Sequence, residues 1–149
     1  MEKHYDLLIK QAKSLVEDSK NIISSFANIS ALLFDDLGDV NWVGFYLVQG
    51  NDLVLGPFQG KVACSFIPYG KGVCGTCLEK KQTIVVDDVH EFVGHIACDS
   101  RSNSEIVIPL FKNNSVFALL DIDSESFARF DDEERVGLER IVKILEESL

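Results

Sequence analysis

No apolar run in the chain approaches the roughly 20 residues that a helix needs to cross a bilayer, which excludes a helical membrane span. Positive charge is also scarce. Lys and Arg total 14 against 24 Asp and Glu, for a formal net charge of −10. Nucleic-acid binding depends on clustered cations that neutralise phosphates, so that class is excluded as well. Nor is there a basic amphipathic helix to hold an anionic membrane surface. Internal repeats, low-complexity tracts and linker-like stretches are missing. The 149 residues are therefore read as one domain, 1–149, long enough to bury roughly two-thirds of the unfolded surface. The first six residues, MEKHYD, are charged and amphipathic rather than a secretory leader. A cytoplasmic location is expected, where thiols stay reduced unless a redox cycle uses them.

The periodicity of the chain changes once. Tyr5, Leu8, Ile9, Ala12, Leu15 and Val16 recur at helical spacing, as do Ile22, Phe26, Ile29 and Leu33. They predict one or two N-terminal helices, with a break near residues 18–21 and a turn-rich exit at 35–39. From Asn41 onward short β-type runs take over. Residues 42–48 and 53–58 flank a hairpin turn at 49–52. Residues 106–111 and 116–122 flank Asn113-Asn114, a type I′ turn because Asn tolerates positive φ. Residues 83–86 are a further strand and 62–67 a weaker one. A closing helix starts at about Asp132, capped by Asp131, with Glu134 completing a capping box. Its buried stripe is Leu138, Ile141, Val142, Leu145 and Leu149. The expected class is α+β, a central antiparallel sheet flanked by N- and C-terminal helices.

Four cysteines carry the chemical interest. Cys64, Cys74 and Cys98 sit in short segments dense in Gly, Ile, His and Asp. Cys74 and Cys77 form a C-x-x-C pair of the kind that can make a vicinal disulfide, but a loop at 68–72 precedes it rather than the strand of a βαβ unit. Cys74, Cys77, His95 and Cys98 also have the paired spacing of a zinc site, although a strand and an acidic turn interrupt it. The bland alternative treats cysteines as small buried hydrophobes. It suits Cys77 best and Cys98 least. Cys98 falls in a polar loop beside His95, Asp99 and Arg101, groups able to favour an exposed thiolate.

Acids form the second constellation. Asp121 and Asp123 are two apart on a strand and share a face, while Leu120 and Ile122 point the other way. Glu105 opens the partner strand at the same end of the ladder as Asp123. An ordinary strand end would leave such acids in solvent. Brought together, three carboxylates can hold an ammonium group, and crowding keeps a proton on at least one of them. Trp42, Gly44 and Tyr46 share one strand face too, either as a core aromatic pair or as an apolar wall with a gap at Gly44 for a small ligand.

These segments resemble the free methionine-(R)-sulfoxide reductases, compact enzymes of the GAF-domain family. The resemblance rests on residues 41–46 (NWVGFY), 56–60 (GPFQG), 72–76 (GVCGT), 94–99 (GHIACD), 102–107 (SNSEIV) and 120–124 (LDIDS), and covers nearly the whole chain from Asn41. It implies a GAF-like fold in which Cys98 is the nucleophile and Cys64 the resolving cysteine that forms a disulfide with it. Cys74 matches a third family cysteine that assists resolution or regeneration. Trp42, Tyr46, Glu105, Asp121 and Asp123 match residues that contact the substrate, and Cys77 matches nothing. The resemblance further implies thioredoxin as reductant, a role against oxidative stress, no metal and no bound nicotinamide or other cofactor.

The chemistry suits these residues. A Cys98 thiolate attacks the sulfoxide sulfur while Glu105, Asp121 or Asp123 protonates the oxygen. Cys98 then becomes a sulfenic acid that Cys64 condenses to a disulfide, and a dithiol reduces it. The acids would select a free α-ammonium, and backbone amides at 72–75 would take the carboxylate at a helix start. The R preference comes from the family alone. The rival expectation is a GAF redox sensor that oxidises Cys98 and Cys64 without turnover; no output segment is read in the chain, which favours the enzyme. The N-terminal helices are a possible homodimer contact.

Overall fold

The computed structural model describes residues 2–94 and 101–149. Helix α1 (Glu2–Asp18) buries Tyr5, Leu8, Ala12 and Val16 along one stripe, the outcome of apolar residues three or four apart. It stops where a break is predicted. The Asn21 side chain accepts from the Ile23 amide at 2.8 Å and caps helix α2 (Ile22–Asp36). That helix runs two residues into the stretch read as a turn. The reversal falls on Gly38 and Asp39, both at positive φ (66° and 52°).

Helix α4 (Asp132–Glu147) starts on its predicted cap, with Asp131 accepting from the Glu134 amide at 2.9 Å. The second half of the expected capping box is not made. Glu134 turns inward instead, accepting from the Tyr5 hydroxyl and pairing with Arg129 at 2.9 Å. A buried carboxylate gains more from a cation and a phenol than from one terminal amide. Gly137 makes room for this contact, since a Cβ there would lie 2.3 Å from the Tyr5 ring. The arrangement fastens α1 to α4. Leu149 lies beyond the end of α4 and is only half-buried, so it does not extend the stripe as expected.

Six strands form one sheet: β1 (Trp42–Gln49), β2 (Asp52–Gly60), β3 (Phe66–Ile67), β4 (Ile84–Val86), β5 (Ser104–Lys112) and β6 (Ser115–Ser124). Their order is β3-β2-β1-β6-β5-β4, with every neighbouring pair antiparallel. Asn113 and Asn114 have φ of 53° and 66°, as the type I′ expectation requires. The weak strand expected at 62–67 shrinks to β3. Helices α1, α2 and α4 cover one face of the sheet, over Val43, Phe45, Ile106, Ile108, Leu120 and Ile122. Helix α3 (Gly72–Lys80) covers the other face, over Trp42, Tyr46, Val107 and Leu119. Only its start was foreseen, because a nine-residue segment with two glycines has a faint helical signature. Among the described residues no helix is long and apolar enough to cross a membrane.

Candidate active site

Strand alternation decides which side chains meet under α3. Leu120 and Ile122 enter the core beneath the terminal helices, and Asp121 and Asp123 face the opposite way. On one side the register sets Glu105 opposite Asp123; on the other it sets Trp42 opposite Asp123 and Gly44 opposite Asp121. The first turn of α3 lays Cys74 over this face. Trp42, Tyr46, Cys74, Glu105, Asp121 and Asp123 consequently border a single cavity, together with Lys71, Gly72, Val73 and Ser102. All five predicted substrate contacts are brought together. The solvated-strand-end alternative fails for Glu105 and Asp121, which are 7% and 5% exposed.

Burial governs the protonation of the cluster. It lifts Glu105 well above the usual carboxylate range, and the neighbouring charges of Asp121 and Asp123 push the same way. Asp121 is raised by burial too, but hydrogen bonds from Glu105 and the Cys74 thiol pull it back. Glu105 is thus the proton-bearing member and Asp121 the acceptor. The Cys74 sulfur and an oxygen from each of Glu105 and Asp121 lie within 4.8 Å of one another. These three are the described residues whose donor atoms are grouped closely enough to hold a cation. Asp121 Oδ1 is buried without a hydrogen-bond partner. Such an orphaned acceptor is costly unless a guest supplies a donor.

The aromatics act twice. Trp42 stacks on Phe58 and Tyr46, with ring centroids 5.2 and 5.9 Å apart. Its indole donates to the Lys61 carbonyl at 3.0 Å, and the Tyr46 hydroxyl donates to the Cys64 carbonyl, also at 3.0 Å. Burial raises Tyr46 far above the ordinary phenol range, so it donates as a neutral group. The cavity wall is therefore also the tether of the Cys64 segment. Of the two alternatives for this face, the core aromatic pair holds, and no gap at Gly44 is open to a ligand. A Cβ there would stand 2.5 Å from the Trp42 ring and 2.4 Å from Phe58 Cβ, so the space is filled by the protein's own aromatics.

The cysteines separate by state. Cys64 is half-buried and disulfide-bonded, whereas Cys74 and Cys77 are free thiols, so no vicinal disulfide joins them. Cys77 is fully buried, with its sulfur 3.3 Å from the Gln82 carbonyl, and burial pushes its thiol up to about 12. It is the small apolar residue that was expected. Cys98, His95 and Asp99 lie outside the described residues, and with them half of the zinc spacing. Arg101 pairs with Glu125 at 3.9 Å.

Two polar residues of the site were missed, beside the apolar lining of Val62, Ala63 and Ile67. Lys71 precedes the first turn of α3 and brings a cation to an otherwise acidic rim; its sequence signal was its place just before Gly72. Ser102, held by the Asn41 amide at 3.1 Å, begins one of the segments that carried the resemblance. The amides expected to bind a carboxylate are also fewer. Gly75 donates to the Lys71 carbonyl at 2.9 Å, which leaves the amides of Gly72, Val73 and Cys74 at the helix start.

Residues 21–149, which carry this antiparallel sheet and the cavity under α3, match the GAF domain family. The free methionine-R-sulfoxide reductase of Escherichia coli strain K12 is 50% identical over 145 residues, which cover 97% of this chain and 88% of that one. The fRMsr of Staphylococcus aureus in its reduced form superposes with a TM-score of 0.95 at 56% identity, covering 97% of this chain and 94% of that one. The free methionine-R-sulfoxide reductase of Neisseria meningitidis in complex with its substrate gives a TM-score of 0.94 at 44% identity, covering 97% and 87%. The chain belongs to the free methionine-R-sulfoxide reductases of the GAF-domain family.

Proposed function

We propose that this chain reduces free methionine-R-sulfoxide to methionine, with Cys98 as nucleophile, Cys64 as resolving cysteine and thioredoxin as the final reductant. One observation carries the reading. A cavity with a buried, unpartnered carboxylate oxygen lies beside a segment whose cysteine is already oxidised. The substrate ammonium would donate to Asp121 Oδ1 and to Asp123, and its carboxylate would meet the amides of Gly72, Val73 and Cys74 with Lys71 nearby. Trp42 and Tyr46 would wall its apolar chain.

The Cys98 thiolate attacks the sulfoxide sulfur as Glu105, the acid that burial keeps protonated, gives its proton to the oxygen. The S–O bond and the bond just formed between the two sulfurs both break, methionine leaves, and the oxygen ends on Cys98 as a sulfenic acid. That sulfur gives up the two electrons that reduce the substrate. The Cys64 thiol then displaces water and forms the disulfide. Thiol–disulfide exchange with thioredoxin restores both thiols. Thiols supply every electron, so the scheme calls for no metal or nicotinamide. Cys64 in a disulfide, with Cys74 and Cys77 as thiols, supports the assignment of Cys98 as its partner.

The test is methionine release from the R and S epimers of free methionine sulfoxide with dithiothreitol. Many equivalents per protein from the R epimer, and little from its N-acetyl derivative, are expected. Release of one equivalent or less would mark a sensor instead.

A further inference from the structure

Cys74 occupies a place that a redox role does not explain. It lies on the first turn of α3 and is 4% exposed. It remains a free thiol in a structure where Cys64 is disulfide-bonded. The turn is held tightly: Gly70 donates to the Gly75 carbonyl, and a Cβ on Gly75 would lie 2.6 Å from the Pro68 carbonyl oxygen. The backbone that carries the sulfur is thereby packed against the loop at 68–70.

Its surroundings also work against a thiolate. A reactive cysteine sits among positive charges, whereas Cys74 is buried and faces Asp121, Glu105 and Asp123. Exchange with a disulfide needs an ionised sulfur with access to its target. A thiol kept neutral retains a proton to donate, and Asp121 is the acceptor within reach.

We propose that Cys74 is a positioning residue and takes no part in the thiol–disulfide cycle: its thiol donates to Asp121 and fixes that carboxylate, with Oδ1 left open, against the substrate ammonium. This rests on the functional reading above. Asp121 would otherwise be free to rotate, or to take up a proton in its buried setting, and either change would withdraw the acceptor.

The test compares Cys74→Ser, which keeps a donor, with Cys74→Ala, which does not, in the full chain with dithiothreitol as reductant. Cys74→Ala is expected to raise KM for free methionine-R-sulfoxide about tenfold, the scale of one lost hydrogen bond to a charged group. Turnover at saturation should stay within about twofold. The acidic limb of kcat/KM should move to higher pH, because the lost bond is one that lowers Asp121. Cys74→Ser should restore both quantities towards wild type, and in wild-type protein after one turnover without added reductant Cys74 should remain open to alkylation once denatured. Equal loss of kcat in both variants, or recovery of Cys74 in a stoichiometric disulfide, would make it a redox residue and overturn the proposal. Unchanged KM and pH profile in Cys74→Ala would reduce it to packing and overturn it too. Wild-type protein that released no methionine would instead sink the functional reading.

Discussion

Glu105→Gln should make the unliganded protein more stable and the enzyme worse. Glu105 and Asp121 are both nearly sealed from water, with oxygens no more than 4.8 Å apart. Two unit charges at that separation repel by about 3 kcal/mol at an effective dielectric constant near 20. The fold therefore holds a proton on Glu105 above its ordinary value near 4.5, through burial first and the neighbouring acids second. Below that value both folded and unfolded forms are protonated, and the full stability is present. As pH rises through the window up to the raised folded value, the folded form binds more protons than the unfolded one, so stability falls. Glutamine has the shape of the protonated acid and keeps a donor towards Asp121, yet cannot ionise. The variant should lose this slope and be more stable than wild type at pH 8, each kcal/mol gained being worth about 2–4 °C in Tm for a chain of this size. Removal of the proposed acid should lower kcat at the same time, by about 100-fold. The assay is thermal denaturation without substrate from pH 5 to 9, beside methionine release. A variant less stable than wild type at pH 8, or one with the same pH slope, would refute the reasoning.

Cys98→Ser should abolish methionine release; near-normal turnover would place the nucleophile elsewhere. Gly44→Ala forces a Cβ into Phe58 Cβ and the Trp42 ring, so it should cost about 1–3 kcal/mol by overpacking and raise KM as Trp42 shifts; an unchanged Tm in thermal denaturation would contradict the geometry. Tyr46→Phe leaves the Cys64 carbonyl without its donor at a net cost of about 1 kcal/mol. It should let the sulfenic acid persist, read as more dimedone adduct after one turnover, and an adduct level equal to wild type would deny the tether a role.

Much of the architecture was legible because each element announces itself locally. The α1 stripe, the Asn21 break, the Asn113-Asn114 turn and the Asp131 cap are all settled within a few neighbouring residues. What the sequence concealed depends on distant partners. Glu134 reads as half of a capping box, but Tyr5, 129 positions away, draws it inward. The gap at Gly44 looks like room for a guest until the Trp42 ring is seen to lie over it. Helix α3 is short and glycine-bearing, so its stability derives from the sheet beneath it rather than from propensity.

The acid cluster was legible for a different reason: it breaks the rules that the rest of the chain follows. Carboxylates set directly across from one another in a ladder repel, and buried ones should be paired with cations. Here Glu105 faces Asp123 across the ladder and Asp121 keeps an oxygen without a partner, although the opposite face of the same strands sends Ile106, Ile108, Leu110, Ala118, Leu120 and Ile122 into an apolar core. A fold under no other demand would replace these acids with the β-branched residues that surround them. Their joint presence under α3 is consistent with a site that is incomplete without a cationic guest, and an α-ammonium brings the charge and the donors that the cavity lacks. The same deficit accounts for the expected preference for a free amino acid, because a residue within a polypeptide has no ammonium to offer.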